Sequence, residues 1–161
     1  LSKLSLTTPT QTAVAVGTGA IVTLVVLQVH DLLSLYPPVV PLSVPIMLTV
    51  LAVAGFVYGA RLPKRLEEHR LGSREAFIAL VSGKSMVITG AVLAGGHTVY
   101  VLRYLGSIEA ATPLQRVWHG AATIVASLLL AAAGSLIERN LQLPDPPAEE
   151  EEERHAEGAP G

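Results

Sequence analysis

Residues 10–29 read TQTAVAVGTGAIVTLVVLQV, a run of 20 residues without a charged side chain. At about 1.5 Å per residue, a helix of that length covers roughly 30 Å, the thickness of a bilayer's hydrocarbon layer. The segment is therefore predicted to be a membrane-spanning helix. Thr8 suits its N-cap and Pro9 its first turn, because Thr can accept an orphan backbone N–H and Pro has none to leave unpaired. A cleaved signal peptide is the rival reading. It is set aside because the apolar run exceeds the usual h-region, and Gln28-Val29-His30-Asp31 offers no small-x-small cleavage pattern. The absence of Met at position 1 is what a processed, trimmed or differently assigned start would give.

Working outward, Tyr36-Pro37-Pro38-Val39-Val40-Pro41 cannot be helix interior, since consecutive prolines remove donors and force extended backbone before them. It reads as a reversal. A second uncharged span follows over about residues 43–60, with Pro45 tolerated in its first turn and an end expected before Arg61 and Pro63. Arg61, Lys64, Arg65, Arg70 and Arg74 then mark residues 61–74 as a loop in water, and Ser73 is the expected N-cap of a third span over about 76–102. The third apolar stretch is longer than a bilayer needs, which predicts tilt or an emergent end. A fourth span is expected over about 117–137, with Arg116 before it and Glu138-Arg139 after it. The predicted fold is all-α: residues 1–143 form a four-helix antiparallel transmembrane bundle, and residues 144–161 form a disordered acidic tail.

Composition agrees with this. Half of the 161 residues are apolar and 15% are charged, against roughly 25% in average soluble domains, and the mean hydropathy is +0.51. Seven of the thirteen acids lie between Asp145 and Glu157, so the body of the chain is basic. Placing the N-terminal tail, the 61–74 loop and the C-terminal tail on one side gathers Lys3, the five loop bases, Arg139 and Arg154 there, against Arg103 and Arg116 opposite. By the positive-inside rule both termini and the middle loop are expected in the cytoplasm, in a bacterial plasma membrane. Short outer connections near residues 30–40 and 105–114 are expected to make successive helices antiparallel neighbours. Cys is absent, which excludes disulfides, zinc-thiolate sites and a thiol nucleophile. No cofactor and no nucleic-acid partner are expected.

Helices in lipid associate through close van der Waals approach, so small residues four apart mark packing faces. Gly55 and Gly59 form such a pair, Ala91 and Gly95 another, and Ser127, Ala131 and Ser135 line the fourth span. Intrachain packing is the plain reading of Gly55 and Gly59, and homodimerisation through them is the sharper one.

Lys84 is the one charged residue inside any predicted span. Seven residues beyond Phe77, or ~10 Å in, its stem can carry the ammonium back to the cytoplasmic headgroups. Alternatively it faces inward, since Ala91, Gly95 and Thr98 lie within about 40° of it at 100° per residue. In that case Lys84, helped by Ser82 or Ser85, is a candidate site for an anionic headgroup or solute. Ser82-Gly83-Lys84-Ser85 imitates the end of a phosphate-binding loop, but Ile78 stands where that motif needs its first Gly. Gly17-Thr18-Gly19 likewise lacks the third Gly of a dinucleotide fingerprint. His30, His97 and His119 fall near outer helix ends with Asp31 and Glu109 on the same side, a candidate metal or proton-sensing site. No two of them share the i, i+3 or i, i+4 spacing that preorganises ligands, and interfacial His beside Trp118, Tyr36, Tyr100 and Tyr104 is ordinary belt composition. A serine-hydrolase constellation and a carboxylate inside the spans are both missing from the pattern.

The expected function is that of a non-enzymatic interaction or accessory subunit with a membrane-protein partner or a second copy of itself. A small-solute or lipid-headgroup transporter using Lys84 is the second reading, and a membrane enzyme drawing on the outer His and carboxylates the third. The basic 61–74 loop is expected to attract anionic lipid at ~1 kcal/mol per base near the surface, or to fold back on the acidic tail.

Four passages resemble the domain of unknown function 3180 family of small actinobacterial membrane proteins. They are Tyr36-Pro37-Pro38 through Pro45, the basic exit Arg61 to Arg65, Arg74-Glu75-Ala76 through Lys84-Ser85 and Gly90-Ala91 to Gly95, and Leu136-Ile137-Glu138-Arg139 through Pro144. The family pattern in the third helix is similar to an Ala-Lys-Ala-Ser stretch followed by Gly-Ala; here it stands as Gly83-Lys84-Ser85-Met86, matching at the Lys. Where the family often has a Cys after the final Glu-Arg, this chain has Asn140-Leu141-Gln142. The resemblance implies a four-helix integral membrane protein and supplies no activity.

Overall fold

A computed structural model of the chain describes residues 6–35, 37–68, 72–106 and 111–141. The predicted acidic tail, residues 144–161, lies outside them. Four helices follow one another: α1 (Pro9–Leu32), α2 (Ser43–Glu67), α3 (Ser73–Leu105) and α4 (Ala111–Asn140). There is no strand among the described residues. Each helix is long and apolar enough to cross a membrane, and the fold is that of a multi-pass membrane protein. At 33 residues, α3 extends about 50 Å and exceeds the hydrocarbon layer.

Local chemistry explains both ends of α1. Thr8 accepts from the Gln11 N–H at 3.2 Å while the Gln11 side chain accepts from the Thr8 N–H at 3.1 Å, a reciprocal capping box completed by Pro9. After α1, Ser34 takes the left-handed conformation (φ 53°) and the Leu35 N–H turns back to the His30 carbonyl. At α3 the cap differs from expectation: Gly72 occupies the N-cap in an extended conformation with no side-chain hydrogen bond, and Ser73 is already helical.

The largest departure is in α2, which does not stop at Ala60. It continues through Arg61, Pro63, Lys64 and Arg65 to Glu67, so the first half of the expected aqueous loop is helix. Proline inside a helix removes the hydrogen bond to the carbonyl four residues earlier, here that of Gly59. The Asn140 side chain donates to that carbonyl at 2.9 Å. Neighbouring side chains that satisfy a freed backbone group make proline tolerable in such helices. Leu62, beside the proline, is fully buried against Ala79 of α3 and Ile137 of α4. Arg65 then reaches Glu75 in the first turn of α3 at 2.6 Å and joins the two helix ends.

The helices are arranged as a row, α1–α3–α4–α2, by their principal contacts. The centre is antiparallel: Gly83 faces Gly134, Gly90 faces Ser127 and Ala131, and Gly120 faces Val101. Each outer helix runs parallel to its partner. Gly96 meets Gly19 and Thr23, and further along Arg103 pairs with Asp31 at 2.9 Å, ordering α1 with α3. Leu48 and Ala52 cluster with Ala126 and Leu130, and Gly59 meets Leu136 and Ile137, ordering α2 with α4. The expectation that the short first connection makes α1 and α2 packing neighbours is therefore corrected: each docks on a later helix. The reason lies in the glycines. A Cβ at Gly19 would overlap the Val92 carbonyl oxygen, and one at Gly95 the Val16 carbonyl oxygen, so α1 and α3 meet backbone to backbone.

Candidate functional site

Side chains with chemistry collect at the two ends of the α3–α4 pair. At the end that carries the termini, Glu138 on α4 is 2% exposed. Its Oε2 accepts from the Thr7 backbone N–H at 2.7 Å and its Oε1 from the Thr7 hydroxyl at 2.6 Å. The segment before α1 is thereby tied to the far end of the chain. Such charge-assisted hydrogen bonds are short and about twice as strong as neutral ones. Glu138 lies four residues beyond Gly134, on the same seam, and it follows Ile137, which touches Gly83 of α3.

Lys84 follows Gly83 directly, which places it at this end of the bundle. Its side chain is half-buried and engaged in a polar interaction. The α3 face that bears it continues through Ala91, which is buried, and Gly95, which is packed on Val16 of α1. Thr98, expected on the same face, is exposed. Ser82 and Ser85 are exposed too. At 100° per residue they sit about 160° and 100° from Lys84 around the helix, so the three do not form one cluster.

The opposite end is built around Arg116, in the second turn of α4 and 7% exposed. Its guanidinium lies 5.0 Å from the centre of the Tyr104 ring, in cation–π range. One terminal nitrogen donates to the Tyr100 hydroxyl at 3.3 Å and to the Tyr104 hydroxyl at 3.4 Å. The two rings meet edge to face at 5.1 Å. Tyr100 in turn donates to the Pro38 carbonyl at 3.2 Å, and His119 Nδ1 bonds the Val40 carbonyl at 2.7 Å, so the α1–α2 connection is fastened over this end. These residues fall together because Tyr100 and Tyr104 are i, i+4 on α3, and Arg116 and His119 are i, i+3 on α4.

The three histidines of the metal hypothesis are occupied separately. His30 Nδ1 bonds the Val26 carbonyl and His97 Nδ1 the Leu93 carbonyl, each at 2.8 Å within its own helix. No group of three metal-binding side chains forms among the described residues. Gly55 and Gly59 face inward: Gly55 meets Met86 and Ala133, and Gly59 meets Leu136 and Ile137. The face needed for a homodimer through this pair is filled by the chain's own α4. Between α1 and α3 a half-open cleft of about 280 Å³ is lined by Leu24, Leu27, Gln28, Val99 and Leu102, with Asp31 and Arg103 in its wall.

The family model described as protein of unknown function DUF3180 matches residues 12–145. The chain belongs to the DUF3180 family. No curated protein and no solved structure matches it. The matched DUF3180 region contains both polar ends of the α3–α4 pair, Arg116 with its tyrosines and Glu138, but begins after Thr7. Arg116 and Glu138 were expected just before and just after the fourth span. Their signal was present: Arg116 precedes Gly120 by four residues and Glu138 follows Gly134 by four, so both lie on the small-residue stripe that faces α3.

Proposed function

We propose that this DUF3180 protein is a non-enzymatic interaction or accessory subunit of the bacterial plasma membrane, standing with both termini in the cytoplasm. One observation carries the reading: buried polar groups along α4, which a membrane enzyme or carrier would turn toward a substrate, are bonded within the chain itself. Thr123 bonds the His119 carbonyl, Ser127 bonds the Thr123 carbonyl, Asn140 bonds Gly59 and Glu138 holds Thr7. Apolar side chains such as Ile46, Met47, Val50 and Val53 on α2, and Val14, Ile21, Val22 and Val25 on α1, are left for lipid or for a partner helix. The positive-inside count supports the orientation. Arg61 and Lys64, both exposed at the end of α2, supply charge for anionic lipid on the cytoplasmic side.

The test is chemical cross-linking in native membranes followed by purification in mild detergent. A defined membrane protein recovered in constant ratio to this chain is the expected result. Recovery of the chain alone, together with turnover or solute flux by the isolated protein in liposomes, refutes the reading. The second reading, a carrier for an anionic solute or headgroup using Lys84, rests on that half-buried cation lying one residue beyond the Gly83–Ile137 contact. It requires flux that disappears in Lys84→Met while membrane insertion is unchanged.

A further inference from the structure

Arg116 presents an electrostatic imbalance. Its guanidinium is enclosed at 7% exposure, and its hydrogen-bond partners among the described residues are neutral phenols at 3.3 and 3.4 Å. No carboxylate pairs with it among the described residues. A guanidinium carries five N–H donors; two are directed at the tyrosines, and since no buried side-chain nitrogen among the described residues lacks a partner, the Nε–H and the second terminal nitrogen open to the outside of the bundle, where an anion can reach them. The position adds to the imbalance. Arg116 stands near the N-terminal end of α4, where the helix dipole contributes roughly half a positive charge, and the first turn holds no acidic residue. Buried charges persist when they are paired, and an anion at this rim of the bundle would complete the pairing of the guanidinium.

We propose that Arg116, with the Tyr104 hydroxyl, binds a phosphate oxyanion at the end of the bundle opposite the termini. The donor set suits it. Arginine's planar fork matches two phosphate oxygens. Tyr104 accepts from Arg116, and its own O–H has no acceptor among the described residues, so it supplies a further donor beside the fork. Tyr100 cannot do the same, because its proton is directed at Pro38. The level in the membrane favours a lipid phosphodiester over free phosphate. Trp118, two residues on, is 69% exposed, and such indoles together with Tyr100 and Tyr104 mark the depth of the headgroups. A headgroup phosphate held here would neutralise the guanidinium and the helix end together and pin α3, α4 and the α1–α2 connection to the lipid surface.

Native mass spectrometry of the full chain, exchanged into detergent with either phosphatidylglycerol or phosphate-free glucosyl diacylglycerol, tests the proposal. Phosphatidylglycerol is expected to be retained as a one-to-one adduct about tenfold more than the glycolipid, the scale of one charge-assisted interaction. Retention should fall to the glycolipid level in Arg116→Gln. Tyr104→Phe keeps the ring over the guanidinium and removes only the hydroxyl; it should fold normally and lose several-fold in retention. A second arm adds millimolar inorganic phosphate to delipidated protein at matched ionic strength. Thermal stabilisation there, absent in Tyr104→Phe, with no lipid adduct, assigns the oxyanion to free phosphate. Retention and stabilisation unchanged in Tyr104→Phe overturn the site. So does a wild type indifferent to both probes whose stability falls in Glu109→Gln, since the counter-charge would then come from the chain itself.

Discussion

The continuity of α2 through Pro63 makes a prediction that separates an interhelical hydrogen bond from ordinary packing. Asn140→Leu keeps the volume of the side chain and deletes the donor that reaches the Gly59 carbonyl at 2.9 Å. Because Pro63 has no N–H, that carbonyl then has no partner in its own helix. An orphaned buried acceptor costs about 1–3 kcal/mol in general. Interhelical hydrogen bonds measured in a membrane average ~0.6 kcal/mol, with a maximum near 1.7. Gly59 is buried and packed against α4, so the expected loss is ~1–1.5 kcal/mol, the upper part of the membrane range. Pro63→Ala restores the N–H and lets Gly59 bond within the helix, so in that background Asn140→Leu should cost less than about 0.5 kcal/mol. The coupling between the two positions is then ~1 kcal/mol, well above the ~0.3–0.5 kcal/mol scatter of independent sites. Reversible unfolding in mixed detergent micelles of the four proteins, wild type, two single variants and the double, gives the cycle. Equal losses in both backgrounds would refute the argument that Asn140 replaces the missing backbone donor.

Three further outcomes follow from the contacts. Gly19→Ala drives a methyl group into the Val92 carbonyl and should destabilise the α1–α3 pair by ~1–3 kcal/mol, whereas Gly17→Ala, with open space at its Cβ, should be neutral or stabilising by up to ~1 kcal/mol; thermal midpoints in detergent decide between them, and equal effects would contradict the seam. Glu138→Ala removes both acceptors of Thr7 and should accelerate amide exchange over residues 7–12, with Thr7→Val, which deletes only the hydroxyl bond, intermediate; unchanged exchange would show that the segment is held by something else. Asp31→Asn breaks an ion pair at 2.9 Å whose side chains are about half exposed, so its cost should stay below about 1 kcal/mol and shrink further in salt; a larger loss would mean that the pair is shielded from water.

The existence and order of the helices were legible because apolar runs of bilayer length carry that information in the sequence itself. Their ends were less so. Arg61 to Arg65 reads as the start of water, and Pro63 as the end of a helix, when each residue is judged beside its sequence neighbours. The group that keeps the helix going is Asn140, 77 positions away from Pro63, and only the folded chain brings it near. The burial of the polar ends of the α3–α4 pair was hidden for a related reason. Arg116 and Glu138 bound the fourth apolar run, and a charge at the edge of such a run is ordinarily assigned to the headgroups. Both side chains instead turn back into the seam, because they share the helix face of Gly120, Ser127 and Gly134. Lys84, singled out as the one charge within a span, is half-buried, while among the described residues the most enclosed charges are the two that bound the fourth span.

The row of helices shows why the length of a connection is weak evidence for contact in lipid. In water, two successive apolar helices gain by covering each other at once, and a short turn between them decides the partner. In a bilayer the lipid tails already cover them, so a helix gains most where its backbone can come closest to another. On α3, Gly83 and Gly90 open one face and Gly95 and Gly96 open another, and the helix accordingly has two close partners, α4 and α1. On α2 the available face is Ala52, Gly55 and Gly59, and it meets Ala126, Ala133 and Ile137 of α4. Residues 33–42 are free to bridge two helices that lie on opposite flanks of the α3–α4 pair, and the bonds from Tyr100 and His119 to Pro38 and Val40 hold that bridge down. The connection follows the packing: glycine placement selects the neighbours, and the polar end around Arg116 fastens the chain that runs between them.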